Sequence, residues 1–148
     1  MDFLSEPQLK IVFQLLSAAF LGGLVGLERE YHRKGAGLRT YILVTVGAAL
    51  FTIIALNAFV DNPIVDPSRI ISQIVLGVGF LGAGLIIYRD AHIEGLTTAA
   101  GLWVVAGIGM AVGTELYFLA FFVCLMVAGI LIGLRLFEKK VFKTKTEG

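Results

Sequence analysis

One cysteine, two histidines and three prolines in 148 residues exclude several kinds of protein at once. The lone Cys124 cannot build a disulfide framework or a cysteine metal site. His32 and His92 are too few to make a metal centre. No nucleophile–base pair and no phosphate-binding loop is present, so an enzyme is not expected. The glycine-rich GVGFLGAG at Gly77–Gly84 does not follow a strand, and that context excludes a dinucleotide fingerprint. Charge is scarce as well: 16% of residues are charged, against about 25% in an ordinary soluble domain. The net charge is only +1, which gives no support to nucleic-acid binding.

What is present is apolar. The hydrophobic fraction is 57% and the mean hydropathy +0.89. Charges cluster at Glu28–Arg39, Asp61–Arg69, Arg89–Glu94 and Arg135–Glu147. Between them run Ile11–Leu27, Thr40–Val60, Ile70–Tyr88, Thr97–Thr114 and Leu116–Leu134, none of which contains a charged residue. Each approaches the roughly 20 residues a spanning helix needs. The expected fold class is an all-α integral membrane protein with five transmembrane helices, so lipid bilayer is an expected partner. The first run follows Met1–Lys10, which is not a basic leader, and is read as a retained helix. Residues 1–137 form the expected transmembrane domain and 138–148 a basic tail.

Five spans put the two ends of the chain on opposite sides. One side then holds Arg29, Arg33, Lys34, Arg39, Arg89, Arg135, Lys139, Lys140, Lys143 and Lys145, ten of the 12 Lys and Arg residues; Lys10 and Arg69 remain on the other. The excess of positive charge in cytoplasmic loops predicts an external N-terminus and a cytoplasmic tail. The tail's lysines suit anionic lipid heads, at about 1 kcal/mol each.

The chain also repeats itself. FLGGLVGLERE at Phe20–Glu30 returns as FLGAGLIIYRD at Phe80–Asp90. After each acid comes a His two residues on, His32 and His92, and then Gly-Leu-x-Thr, at Gly37–Thr40 and Gly95–Thr98. Because Phe, Leu and Gly abound in membrane helices, composition is the competing account. The ordered pattern points to two parallel helical-hairpin repeats, related about the membrane normal, plus a fifth helix. In each repeat a threonine, Thr40 and Thr97 or Thr98, is expected to cap the returning helix. An acid from the outgoing helix, Glu28 or Glu30 in the first unit and Asp90 or Glu94 in the second, would settle on that helix's positive start. With Arg29, Arg39 and Arg89 these make a predicted charged ring at the cytoplasmic mouth; ordinary solvated interfacial charge is the alternative.

Helix contacts in lipid depend on small residues. The spacings Gly22/Gly26, Gly109/Gly113 and Gly129/Gly133, and the dense Gly79, Gly82 and Gly84, mark expected packing faces and a homodimer. On an ideal helix Gly22, Gly26 and Glu30 share a face, as do Gly82, Ile86 and Asp90. Mid-span ionisable groups are missing. The candidate polar ligands are Asn57, toward the outer end of the second span, and Ser72 with Gln73, at the outer end of the third, and the carboxylates a magnesium ion wants lie near the surfaces. Trp103 reads as a packing or interface residue.

Four blocks, GGLVGLERE, AGLRTYILVTVGAALF at Ala36–Phe51, GVGFLGAGLI at Gly77–Ile86 and GLTTAAGLWVVAGIGMAVG at Gly95–Gly113, resemble in order and spacing the transmembrane domain of the MgtC/SapB family of bacterial inner-membrane proteins. The resemblance carries family motif positions onto Glu28, Arg29, Glu30, Gly37, Leu38, Arg39, Thr40, Gly82, Gly84, Gly95, Leu96, Thr98 and Trp103. It implies a role in magnesium homeostasis, or in growth under low magnesium and acid stress. Members have been described as direct magnesium transporters and, in several cases, as regulators of other membrane proteins such as ATP synthase. Magnesium is the one ligand it suggests, and no cofactor is implied. Longer members add a soluble cytoplasmic domain, whereas Glu138–Gly148 is too short to fold by itself.

Overall fold

The computed structural model describes residues 5–58, 66–89 and 91–143, apart from the side chains of residues 139, 142 and 143. Five helices carry the fold: α1 (Glu6–Tyr31), α2 (Leu38–Asn57), α3 (Pro67–Ala83), α4 (Leu96–Gly113) and α5 (Tyr117–Lys143). Four of them, α1, α2, α4 and the apolar part of α5, are long and apolar enough to cross a bilayer. The chain is a multi-pass membrane protein. Between α3 and α4 lies an antiparallel pair of strands, β1 (Ile87–Arg89) and β2 (His92–Glu94).

That short strand pair adds to a fold that is otherwise helical, with the five helices expected. It corrects the third span, which stops at Ala83 instead of reaching Tyr88. The reason is local: Gly82 and Gly84 weaken the helix end, and β-favouring Ile86, Ile87 and Tyr88 follow. Ile86 and Asp90 therefore do not continue the Gly82 face, and Asp90 lies outside the described residues. At 17 residues α3 is about 26 Å long, a little under the roughly 30 Å hydrocarbon thickness. Its start is well defined: Asp66 accepts from the Ser68 backbone N–H at 2.9 Å. Hydrogen bonding from Ser68 holds the Asp66 carboxyl below its ordinary value, so the cap is ionised at neutral pH.

The threonine caps are corrected too. Helix α2 begins two residues, and α4 one residue, before its expected span, with Gly37 and Gly95 as N-caps and no side-chain cap from either. Thr40 and Thr98 thus fall within the first helical turns. Gly95 is required at its position, because its φ is +91° and a Cβ there would collide with the Leu85 carbonyl. Helices α1 and α4 end alike, with a left-handed residue just past each: Arg33 (φ 51°) and Glu115 (φ 66°). The next N–H then reaches back, Lys34 to the Arg29 carbonyl at 3.1 Å and Leu116 to Ala111 at 2.8 Å. These are Schellman closures.

Helix α2 lies at the centre together with α4. It packs on α1, α3 and α4; α4 in turn packs on α1, α3 and α5, and α5 on α1. In lipid, burial of apolar surface does not drive this association, and close approach does. Gly22 of α1 lies against Thr45, whose Cβ is 2.8 Å from where a Gly22 Cβ would stand; Gly26 similarly meets Leu38 Cα and Tyr41 Cβ, each at 2.9 Å. On the other flank of α2, Gly109 lies under the Thr45 carbonyl, Gly113 against Thr52 Cβ at 2.7 Å, and Gly101 under the Tyr41 hydroxyl. Thr45 and Thr52 fit between backbones because their hydroxyls donate within α2, to the Tyr41 carbonyl at 2.7 Å and the Ala48 carbonyl at 2.8 Å.

Other glycines do not take part. Gly82 touches Ala99 at ordinary contact distance, 3.5 Å, and Gly84 approaches only its own turn; Gly79, Gly129 and Gly133 have no neighbour within 4 Å. Within one chain the expected packing role of those three is corrected: they face outward. At the end opposite the β-hairpin, Lys10 pairs with Glu115 at 2.7 Å. One turn deeper, the buried Gln14 amide donates to the Val112 and Gly113 carbonyls at 3.2 and 3.1 Å. That amide caps the Gly113 carbonyl at the end of α4 and gives the Val112 carbonyl a second donor beside the Glu115 N–H.

Candidate functional site: a buried charge cluster at the hairpin end

The last turns of α1 carry Glu28, Arg29 and Glu30 in succession. Consecutive helical residues point about 100° apart, so three neighbours face three different partners. Arg29 turns inward between α1 and α4. It is 4% exposed, and its Nη2 donates to Thr98 Oγ1 at 2.8 Å. Thr98 is also gripped through its backbone, since its carbonyl accepts from the buried Tyr41 hydroxyl at 3.2 Å. One arginine, one threonine and one tyrosine thereby tie α1, α2 and α4 together.

Glu28 turns toward α5. Its side chain is 7% exposed; Oε1 lies 2.9 Å from His32 Nδ1 and 3.7 Å from Arg135 Nη1, and Oε2 lies 3.6 Å from Arg29 Nη1. The two arginine distances exceed a direct hydrogen bond. Consistent with that, Glu28 Oε2, Arg29 Nε and Arg135 Nη1 are buried without a hydrogen-bond partner.

Glu30 turns the third way. Its Oε2 accepts from the Leu38 backbone N–H at 3.0 Å, the first N–H of α2. The acid from the outgoing helix thus lies on the start of the returning one, where the helix dipole favours it. Glu30→Ala is expected to cost about 1 kcal/mol, read as a lower melting temperature in detergent; Glu30→Asp, too short to reach, should lose a similar amount.

The expected ring is only partly assembled. Glu28, Arg29 and Thr98 meet, and Thr97 lines the cavity beside them. Arg39 and Thr40 are exposed on α2, Thr40 bordering an apolar groove of about 670 Å³ against α3. Arg89 and Glu94 are exposed on the β-hairpin, with Arg89 in register opposite His92. The charges that do gather form a one-sided cluster that draws in His32, Tyr41, Lys34 and Arg135. Sequence reasoning passed over Tyr41 and Arg135 in this role. Their signals were present: Arg135 is the first charge after the long apolar stretch of α5, and Gly101 marks where a large ring needs room.

Trp103 is 55% exposed and borders a groove of about 320 Å³ between α3, α4 and α5, lined by Val75, Val78, Leu119 and Val123. The groove exists because α3 packs on α2 and α4 but not closely on α5.

The profile of the MgtC family matches residues 15–140. Among curated proteins, YhiD of Escherichia coli K12, whose name associates it with magnesium transport, is 42% identical over 139 residues, covering 90% of this chain and 63% of its own. Protein MgtC of Salmonella typhimurium is 46% identical over 102 residues, covering 69% of this chain and 42% of its own. An uncharacterised protein of Haemophilus influenzae is 40% identical over 141 residues. The chain therefore spans under two thirds of the length of these relatives. No solved structure matches it.

Proposed function

The chain belongs to the MgtC family, and from that premise we propose that it serves magnesium homeostasis, or growth in low magnesium and acid, as a regulator of other membrane proteins in the bacterial inner membrane. Its N-terminus is external and its basic end cytoplasmic, which the ten-to-two distribution of Lys and Arg supports. The fold is taken as two parallel hairpins plus α5. The support is the pairing itself: α1 with α2, α3 with α4, α2 against α4 at the centre, and each outer helix against the other hairpin's inner one. The second hairpin is the looser, as its β-connection and shorter α3 require.

One observation carries the regulator reading. Between Lys10 and Glu28 of α1, throughout α4, and from Tyr117 to Leu134 of α5, no residue is ionisable except tyrosine and cysteine. The polar groups at depth, Gln14, Thr45 and Thr52, are taken up by backbone carbonyls. The buried carboxylate, Glu28, is surrounded by Arg29, His32 and Arg135, a poor seat for magnesium, which wants carboxylates and water. A direct magnesium transporter is the second reading, favoured by the name of the Escherichia coli relative.

The exposed groove at Trp103 and the outward Gly129 and Gly133 leave faces for a partner, either another membrane protein such as ATP synthase or a second copy. A photo-crosslinking residue in place of Trp103, expressed in native membranes, is expected to capture a second membrane protein under low magnesium. Capture of lipid alone under that condition contradicts the regulator reading.

A further inference from the structure

A cavity of about 500 Å³ opens at the hairpin end between the start of α4 and the end of α5. Its polar wall comprises Glu28, Arg29, Lys34, Thr97, Thr98, Arg135 and Glu138; apolar residues of α5, with Ile93 of β2 and Gly95 and Leu96 at the start of α4, make the rest. We propose that this cavity binds a phosphate group, either of a lipid headgroup or of a free phosphate compound, between Arg29, Arg135, Lys34 and the amino end of α4.

Three observations converge on an anion. Three permanent cations face two carboxylates, and His32 already pairs with Glu28. Next, the first N–H groups of α4 have no carbonyl of their own helix to bond, and its N-cap Gly95 offers no side chain. Helix α2 differs, because Glu30 occupies the equivalent position there. A helix start left open toward a cavity favours negative charge.

The third observation is independent of the helix. Arg29, with a side chain only 5% exposed, and Arg135 both line this cavity, and Arg29 Nε and Arg135 Nη1 are enclosed by protein without a hydrogen-bond partner. A buried donor left unsatisfied is costly, and an arginine fork matches phosphate geometry. The tetrahedral oxygens of one phosphate can accept from both guanidinium groups and from the α4 amides. The position suits a headgroup, since α5 has 27 residues, about 40 Å, and runs past the roughly 30 Å hydrocarbon layer.

The proposal does not depend on the regulator reading and involves no magnesium. Its test uses the full chain, delipidated in a neutral detergent, with melting temperature and native mass spectrometry as readouts. The probes are inorganic phosphate, short-chain phosphatidylethanolamine and short-chain phosphatidylglycerol, with sodium chloride at matched ionic strength as control. At least one phosphate probe should raise the melting temperature where chloride does not, and Arg135→Gln and Lys34→Gln should each weaken its binding, Arg135→Gln by about tenfold. A response to inorganic phosphate assigns a free anion; a response to the lipids alone assigns a headgroup. Should Arg135→Gln not fold, Lys34→Gln in the exposed loop decides. No response to any phosphate probe overturns the proposal, and so does a response unchanged in both variants. Stabilisation by magnesium chloride that Glu28→Gln abolishes, with none from phosphate, overturns it in favour of a cation.

Discussion

Gly109→Leu is expected to leave no folded protein in detergent, and Gly109→Ala to lose about 2–3 kcal/mol. A Cβ at position 109 would overlap the Thr45 carbonyl, which is backbone and cannot rotate away. Helices α2 and α4 must then move apart along their whole contact, and the same displacement loosens Gly113 from Thr52 and Gly101 from Tyr41. In lipid no hydrophobic term returns the lost association energy. Gly129→Leu is the matched control: its glycine has nothing within 4 Å, so the change should stay within about 0.5 kcal/mol. Melting curves by size-exclusion chromatography compare the two directly, and similar losses at both positions would contradict the seam assigned to α2 and α4.

Arg29→Leu is expected to lose about 3–5 kcal/mol. The substitution removes the hydrogen bond to Thr98 and leaves Glu28 buried with one cation fewer. His32 and Arg135 remain within 2.9 and 3.7 Å of Glu28, which keeps the loss from exceeding that range. A double-mutant cycle with Thr98→Val should give a coupling of about 1.5–3 kcal/mol, the range for a hydrogen bond to a charged group. Arg39→Gln, on the exposed side of α2, should change stability by less than about 0.5 kcal/mol. Equal effects at Arg29 and Arg39 would mean that Arg29 is solvated rather than buried.

The helices were legible because long uncharged runs have one physical solution in a bilayer. That an acid at the end of α1, Glu28 or Glu30, would lie on the start of α2 was legible as well, through helix polarity and the shortness of the connection, but not that Glu30 is the one that does. The cap positions were not: Thr40 and Thr98 look like caps by residue type, but Gly37 and Gly95 accommodate the turn with their free backbones. The end of α3 was obscured because Ile86, Ile87 and Tyr88 are as apolar as the helix they follow, and hydropathy does not distinguish a strand from a span. Glycine spacing identified Gly22, Gly26, Gly109 and Gly113 but gave Gly129 and Gly133 the same weight. Spacing alone does not say which face meets a neighbour. The charged cluster was half visible. Glu28 and Arg29 stood out beside each other, whereas Arg135 reaches them only because α5 folds back along α1.

The central functional claim is that the bundle is closed to ions and acts through contacts with other proteins. Magnesium uptake into proteoliposomes carrying the purified chain, followed with an entrapped magnesium-sensitive dye, tests it most directly. The account predicts uptake equal to that of protein-free vesicles. Uptake above that level, abolished by Glu28→Gln in a variant that still folds, would contradict it.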